Sequence, residues 1–361
     1  MKTKVIFSCL YSHILRMAKA AAHCLNKITC ASLLLAFLCP IAAFSEDTWE
    51  NWQERSGPIS LVNQSPIQLL FLQPIPDRAD TLPKGHSSIR LNTTITNTLI
   101  SQESAHYAAT VDMETIRTSL EVSYGVTPCL ELGVSLPAAH HYSGFMDKPI
   151  REVERMSGKI RKVRQEEDAN EFAYVVKKDD EVFMSGSKNS TGMQDLVLRA
   201  KGRVWDEDNI LPGLSVRLAV KLPTGDEDRA FGSGKADWGL GLLLQKNINR
   251  MSAYLNADVT FPGDAFDDAG ISLREFYTIM IGAEYRFTQQ LSAIAQMNWI
   301  TRPFEDTGLD MLEKRISELL IGLNYFTKSG IFIQIGGVED IFDSCESGAD
   351  FTFFLNIGLS L

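Results

Sequence analysis

From about residue 86 to the end, the chain alternates apolar and polar residues in twos. Ile116-x-Thr118-x-Leu120-x-Val122-x-Tyr124-x-Val126 is one such run, and Leu214-x-Val216-x-Leu218-x-Val220-x-Leu222 another. Tyr277 to Phe287 repeats the pattern, and Phe351-x-Phe353-x-Leu355-x-Ile357-x-Leu359-x-Leu361 gives its clearest form. A period of two puts every apolar side chain of a strand on one face. The runs predict about twelve strands, at 86–101, 106–126, 129–143, 191–205, 212–222, 236–247, 251–261, 271–287, 290–302, 312–327, 330–339 and 350–361. Most exceed the 3 to 10 residues usual in soluble sheets and match the ~9–11 residues with which a tilted strand crosses a bilayer.

The connections alternate too. Tight turns follow the even strands, as in Tyr124-Gly-Val-Thr-Pro-Cys-Leu130, Asn247-Ile-Asn-Arg-Met251 and Tyr325-Phe-Thr-Lys-Ser-Gly-Ile331. Longer, acidic loops follow most odd ones, the longest spanning 144–190. An even strand count with short turns at one rim and long loops at the other predicts an all-β, antiparallel outer-membrane β-barrel with both termini periplasmic. Closure satisfies every backbone group in lipid, which an open sheet cannot do. A soluble β-sandwich is the competing fold; the strand lengths argue against it.

Charge clusters on one parity of the strands, which assigns the lumen face because a charge facing lipid costs ~2–4 kcal/mol at the midplane. That parity gives a candidate lumen network of Arg117, Glu121, Glu131, Asp195, Arg199, Arg203, Arg217, Arg274, Glu284 and Arg286, accompanied by Lys201, Lys221, Asp237, Asp258, Arg302 and Glu318. Basic and acidic positions nearly balance. Such a set could line a pore with charged constrictions, or pair internally and hold a narrow barrel shut.

Residues 1–45 are expected to be a signal peptide, with basic residues, the apolar run Ala31–Cys39 and Ala43-Phe44-Ser45 as the cleavage site. Met17 is an alternative start. Residues 46–85 form a periplasmic N-terminal segment. Its apolar stretch Ile67–Leu72, flanked by Pro74 and Pro76, is too short to span and too proline-bound for a sheet centre. Burial in the lumen is the remaining place, which makes Asn63, Gln64, Leu70 and Phe71 candidate plug residues.

Composition removes other classes. The net charge of −10 on 361 residues disfavours nucleic acid as a partner. Four of the six cysteines lie in the leader, and Cys129 and Cys345 are predicted on opposite rims, too far apart to pair. No cofactor or metal motif is present; the rim carboxylates Asp226, Glu227, Asp228, Asp264, Asp267 and Asp268 lack the spacing of a cation loop. His141 and Ser143 share a strand face as in outer-membrane phospholipases, but no third polar group stands at an obvious partner position.

The segment Gly57-Pro-Ile-Ser-Leu-Val-Asn63-Gln64-Ser-Pro66 through Phe71, Pro74 and Pro76, followed by Leu82-Pro-Lys-Gly85, resembles the start of the bacterial DUF3187 family. Ser143-Gly-Phe-Met-Asp147 with Arg151–Arg155 resembles that family's mid-chain loop, from which the charged insertion Lys159–Asp180 departs. Lys221-Leu-Pro-Thr-Gly-Asp226 with Gly232-Ser-Gly-Lys-Ala-Asp237 resembles a loop of outer-membrane transporters of the phenol-degradation type. The resemblance implies a barrel and no defined activity. Three readings follow: a narrow channel or transporter for small solutes, a structural or envelope-interaction barrel with a filled lumen, and an outer-membrane lipid hydrolase. The first is preferred, and no enzyme is expected. The expected partners are outer-membrane lipids, lipopolysaccharide and the barrel-assembly machinery.

Overall fold

The computed structural model describes residues 57–157, 170–327, 329–341 and 349–361. The signal peptide, Cys345 and residues 159–169 of the charged insertion lie outside the described residues. Among the described residues there are fifteen strands: β1 (Ser87–Glu103), β2 (Tyr107–Thr127), β3 (Leu130–Tyr142), β4 (Ala173–Lys178), β5 (Glu181–Ser185), β6 (Ser190–Met193), β7 (Leu196–Trp205), β8 (Gly213–Leu222), β9 (Asp237–Ile248), β10 (Met251–Phe261), β11 (Phe276–Arg286), β12 (Leu291–Ile300), β13 (Ile316–Phe326), β14 (Ile331–Asp340) and β15 (Phe351–Ser360). Helices α1 (Asp147–Ser157) and α2 (Asp310–Glu313) lie in the long loops after β3 and β12.

Twelve of the strands form a closed antiparallel barrel, β1-β2-β3-β7 and onward in chain order to β15, which pairs back with β1. Closure runs from Ser88 opposite Ser360 to Asn97 opposite Phe351. Alternation is strict where the sequence predicted it: along β11 every even position from Phe276 to Glu284 is buried and every odd one from Tyr277 to Tyr285 exposed. The outward face carries Leu240, Leu242, Ile279, Ile281, Ile321 and Leu323, each more than 40% exposed. So much exposed aliphatic surface in a continuous belt is intelligible only against lipid. Tyr124, Tyr285 and Tyr325 mark its short-turn edge, Trp238 and Tyr277 its long-loop edge.

The predicted strands differ from the observed ones mainly at the long-loop rim. The strand expected from 271 begins at Phe276, and the one expected from 312 begins at Ile316 after α2. Strands β4 and β5 form a hairpin inside the long loop and extend the sheet from the upper part of β2, Tyr107 opposite Lys178. Residues just after β3 fold over the outward face of β2. The Glu114 carboxylate accepts Tyr142 Oη at 2.8 Å, Phe145 N at 2.7 Å and Met146 N. Glu114 stands on the outward parity and is fully buried there.

No helix among the described residues is long and apolar enough to cross a membrane. The barrel interior is packed. Ile59 and Leu61 meet Tyr254, Met280, Ile294, Leu320, Val338 and Phe354 in one apolar cluster. A second joins Ile67, Leu70 and Phe71 to residues of the long loops, among them Tyr174, Phe304 and Leu312.

Candidate functional site: the occupied lumen

Residues 57–82 form a re-entrant loop inside the barrel. Its ascending limb is fixed by Ile59 N donating to Gln296 Oε1 at 2.9 Å and by Asn63 Nδ2 donating to Glu318 Oε1 at 2.7 Å. The turn at the top is a 3-10 helix, Gln68–Leu70. Beyond it Phe71 packs edge-on against Phe276 and Phe304, with centroids 6.4 and 5.8 Å away. The descending limb passes Asn256, which binds Asp77 through both its amide atoms, then Gln245 and Ser215 at Ala79, and leaves past Glu131 at Leu82. Proline recurs along it because the backbone here bonds to side chains of the wall and needs no ladder donors. Gly125 marks the exit: a Cβ there would stand 2.2 Å from the Pro83 carbonyl.

Of the candidate plug residues, Asn63, Leu70 and Phe71 meet the wall as described. Gln64 turns its Oε1 to the Thr94 hydroxyl at 2.9 Å and contacts no charge.

The loop tip is held by one buried cation. Lys221 Nζ donates to the Leu70 carbonyl and to Ser233 Oγ, and lies 3.0 Å from Asp195 Oδ2 and 3.1 Å from Asp237 Oδ2. Asp195 also accepts Thr224 N and Gly225 N at 3.0 and 2.8 Å; Asp237 accepts Leu72 N and Gly263 N at 2.7 and 2.9 Å. The Lys-Leu-Pro-Thr-Gly-Asp and Gly-Ser-Gly-Lys-Ala-Asp stretches are therefore the two halves of a latch on the N-terminal segment. The glycines make it fit: a Cβ on Gly232 would stand 2.5 Å from Asp195 Oδ1.

The lumen cations gather on one wall, where Glu121 and Glu131 also stand. Cations stand on β1, β2, β7 and β8: Arg90, Arg117, Arg199, Lys201, Arg217 and Lys221. The lumen face of β9–β15 carries Asp237, Asp258, Glu284, Glu318 and many amides, with Arg302 buried just beyond β12. Arg217 grips Asp258, Nη2 donating to both carboxylate oxygens at 2.8 and 2.7 Å and Nε to Oδ1 at 3.0 Å, and also donates to the Ile75 carbonyl. Arg199 reaches Glu121 at 3.4 Å, and Lys201 lies 3.3 Å from Glu131 and 2.7 Å from Asp77. Arg117 donates to Gln194 Oε1 at 2.7 Å. Glu284 accepts Tyr254 Oη and Asn324 Nδ2, both at 2.9 Å, and the Ser292 hydroxyl.

Three members of the expected network stand elsewhere. Arg274 is exposed in the loop before β11 and pairs with Glu305. Arg203 and Arg286 sit at the short-turn rim, on Pro128 O and Asp206 and on Asn249 O respectively. Each continues the alternation past the last residue of its strand that faces the filled lumen. Arg90, Asp77 and Arg78 were missed; Ile89-Arg90-Leu91-Asn92 carries the alternation that points Arg90 inward.

At the long-loop rim a cavity of about 920 Å³ opens over the loop tip, with Leu70 and Ser233 among its lining residues. Its walls include Glu227, Asp228, Asp264, Asp267 and Asp268; among the described residues no group of side chains has the arrangement of a metal site. Asp226 is tied to Arg229 at 2.6 Å. His141 is packed against Phe231, centroids 4.8 Å apart, and the structure gives it no hydrogen bond to Ser143. Its Nδ1 is buried without a hydrogen-bond partner. Cys129 is a free, exposed thiol.

A family profile described as "Protein of unknown function (DUF3187)" matches residues 31–360. Among solved structures, the COG4313 outer membrane channel from Pseudomonas putida F1 aligns with TM-score 0.53 at 14% identity, over 80% of this chain and 100% of that one. The NanC porin follows with TM-score 0.42 at 8% identity, over 76% and 100%, and the KdgM porin with 0.39 at 10%, over 76% and 99%. The first of these establishes the fold as that of an outer-membrane channel barrel. No curated protein sequence matches.

Proposed function

We propose that this chain, which belongs to the DUF3187 family, is an outer-membrane channel for small solutes whose lumen is closed by its own N-terminal segment. The short-turn rim is then periplasmic and the long loops face outward, where they meet lipopolysaccharide; the barrel-assembly machinery would insert the chain. The observation that carries the reading is the manner of closure. The occluding segment lies in the pore, outside the sheet, so its removal breaks no strand pairing. A barrel wall lined with charge and amide is what a solute path needs once the segment moves.

The filled-lumen structural barrel is the second reading, favoured by the small space left beside the segment, a cavity of about 50 Å³. Liposome swelling separates the two. A reconstituted chain lacking residues 57–80 that admits a pentose supports the channel. A folded, deleted barrel that admits none supports the structural role.

A further inference from the structure

The cavity beside the descending limb lies wholly against the basic wall. Arg78, Arg90, Arg199 and Lys201 line it, together with Asp77, Glu121 and Glu131. The carboxylates are already engaged. Asp77 holds Lys201; Glu131 holds Lys201 and accepts Leu82 N at 2.9 Å; Glu121 accepts Asn92 Nδ2 at 2.7 Å and faces Arg199. Arg217, also in the lining, is neutralised by Asp258 from the opposite wall.

Arg90 is different. Its Nη1 donates to Ser60 Oγ at 2.9 Å and its guanidinium stands 5.7 Å over the Phe332 ring. Among the described residues it has no carboxylate within ion-pair distance. A guanidinium presents five donors in a planar fork, and Ser60 uses one. A smaller pocket of about 20 Å³ shares Arg78, Leu82, Ser88 and Arg90 and is lined also by Gly330 and Ser360 at the short-turn rim.

We propose that this cavity is a binding site for a small oxyanion or carboxylate solute, held by the free edge of the Arg90 guanidinium. The fork matches two oxygens of one anion, as it matches a carboxylate. The site is reached from the periplasmic mouth. Its inner wall is the segment Ile75–Leu82, so the anion sits where the plug meets the barrel. The proposal deepens the channel reading by giving the solute a sign.

The test uses the full-length barrel in detergent micelles, titrated calorimetrically with sodium phosphate at constant ionic strength. Saturable binding is expected, weakened at least ten-fold in Arg90→Gln and less in Arg90→Lys, which keeps the charge and loses the fork. Arg274→Gln, exposed in the loop before β11, should bind as the parent does. Heat-modifiable migration checks that each variant is folded. Absence of saturable phosphate binding, or equal binding by parent and Arg90→Gln, overturns the site. Conductance measured on the same preparations keeps the two readings apart. A conducting barrel that ignores phosphate loses the anion site alone, and a phosphate-binding barrel that never conducts, even without residues 57–80, loses the channel alone.

Discussion

Replacing Lys221 by Met should release the tip of the N-terminal segment. The Lys221 side chain is 2% exposed, and its ammonium lies between two buried carboxylates while holding the Leu70 carbonyl. Breaking a buried ion pair by removing one partner costs ~3–5 kcal/mol, because the other charge is left uncompensated. Here part of that cost is cushioned, since Asp195 and Asp237 keep their backbone N–H donors. The share that falls on docking of the segment is the lost bond to Leu70 and the repulsion left between the two carboxylates, about 2 to 3 kcal/mol. At 1.4 kcal/mol per decade, the undocked fraction should rise roughly 30- to 140-fold. Single-channel recording in planar bilayers reads this as open probability. Lys221→Met should open often, in steps of the same size as rare parental openings. A folded variant that stays as silent as the parent would refute the latch.

Phe71→Ala removes the ring wedged between Phe276 and Phe304 and should cost ~3–5 kcal/mol of segment docking, seen as increased protease cleavage within residues 57–82. Gly125→Ala places a Cβ against the Pro83 carbonyl and should lower the thermal transition by the equivalent of ~1–3 kcal/mol, measured by circular dichroism. Burial opposes ionisation of Asp77, but Lys201 with Arg90 and Arg78 holds its carboxyl well below the usual range. A depressed carboxylate stabilises the docked segment above its unfolded value of about 4 and loses that contribution as pH falls below it. Open probability should therefore climb in that acid window, and Asp77→Asn should flatten the climb. Leu240→Arg puts a charge on the lipid face and should destabilise the barrel by ~2–4 kcal/mol in urea titrations from vesicles.

The barrel was legible because lipid and lumen impose opposite demands on successive residues, and β8 to β15 obey them with little interruption. Reading failed where that constraint lapses. Arg274 continues the alternation of β11 into a loop above the sheet, where water accepts an arginine on either face. Glu114 violates the parity of β2 because residues after β3 cover the outward face there. The β4–β5 hairpin extends β2 beyond the membrane belt, so no lipid requirement marks its residues. The apolar stretch Ile67–Leu72 announced that the N-terminal segment needed burial. Its anchors did not show, because Leu70 and Lys221 are 151 positions apart and nothing local in either relates them.

The central claim is that residues 57–82 close a solute path running through this barrel. Single-channel conductance of the chain lacking residues 57–80, set beside the full-length protein in the same bilayer, tests it most directly. The account predicts a stable open current for the deleted chain and a mostly closed full-length barrel. A deleted chain that still shows heat-modifiable folding yet conducts no more than the intact one would contradict it.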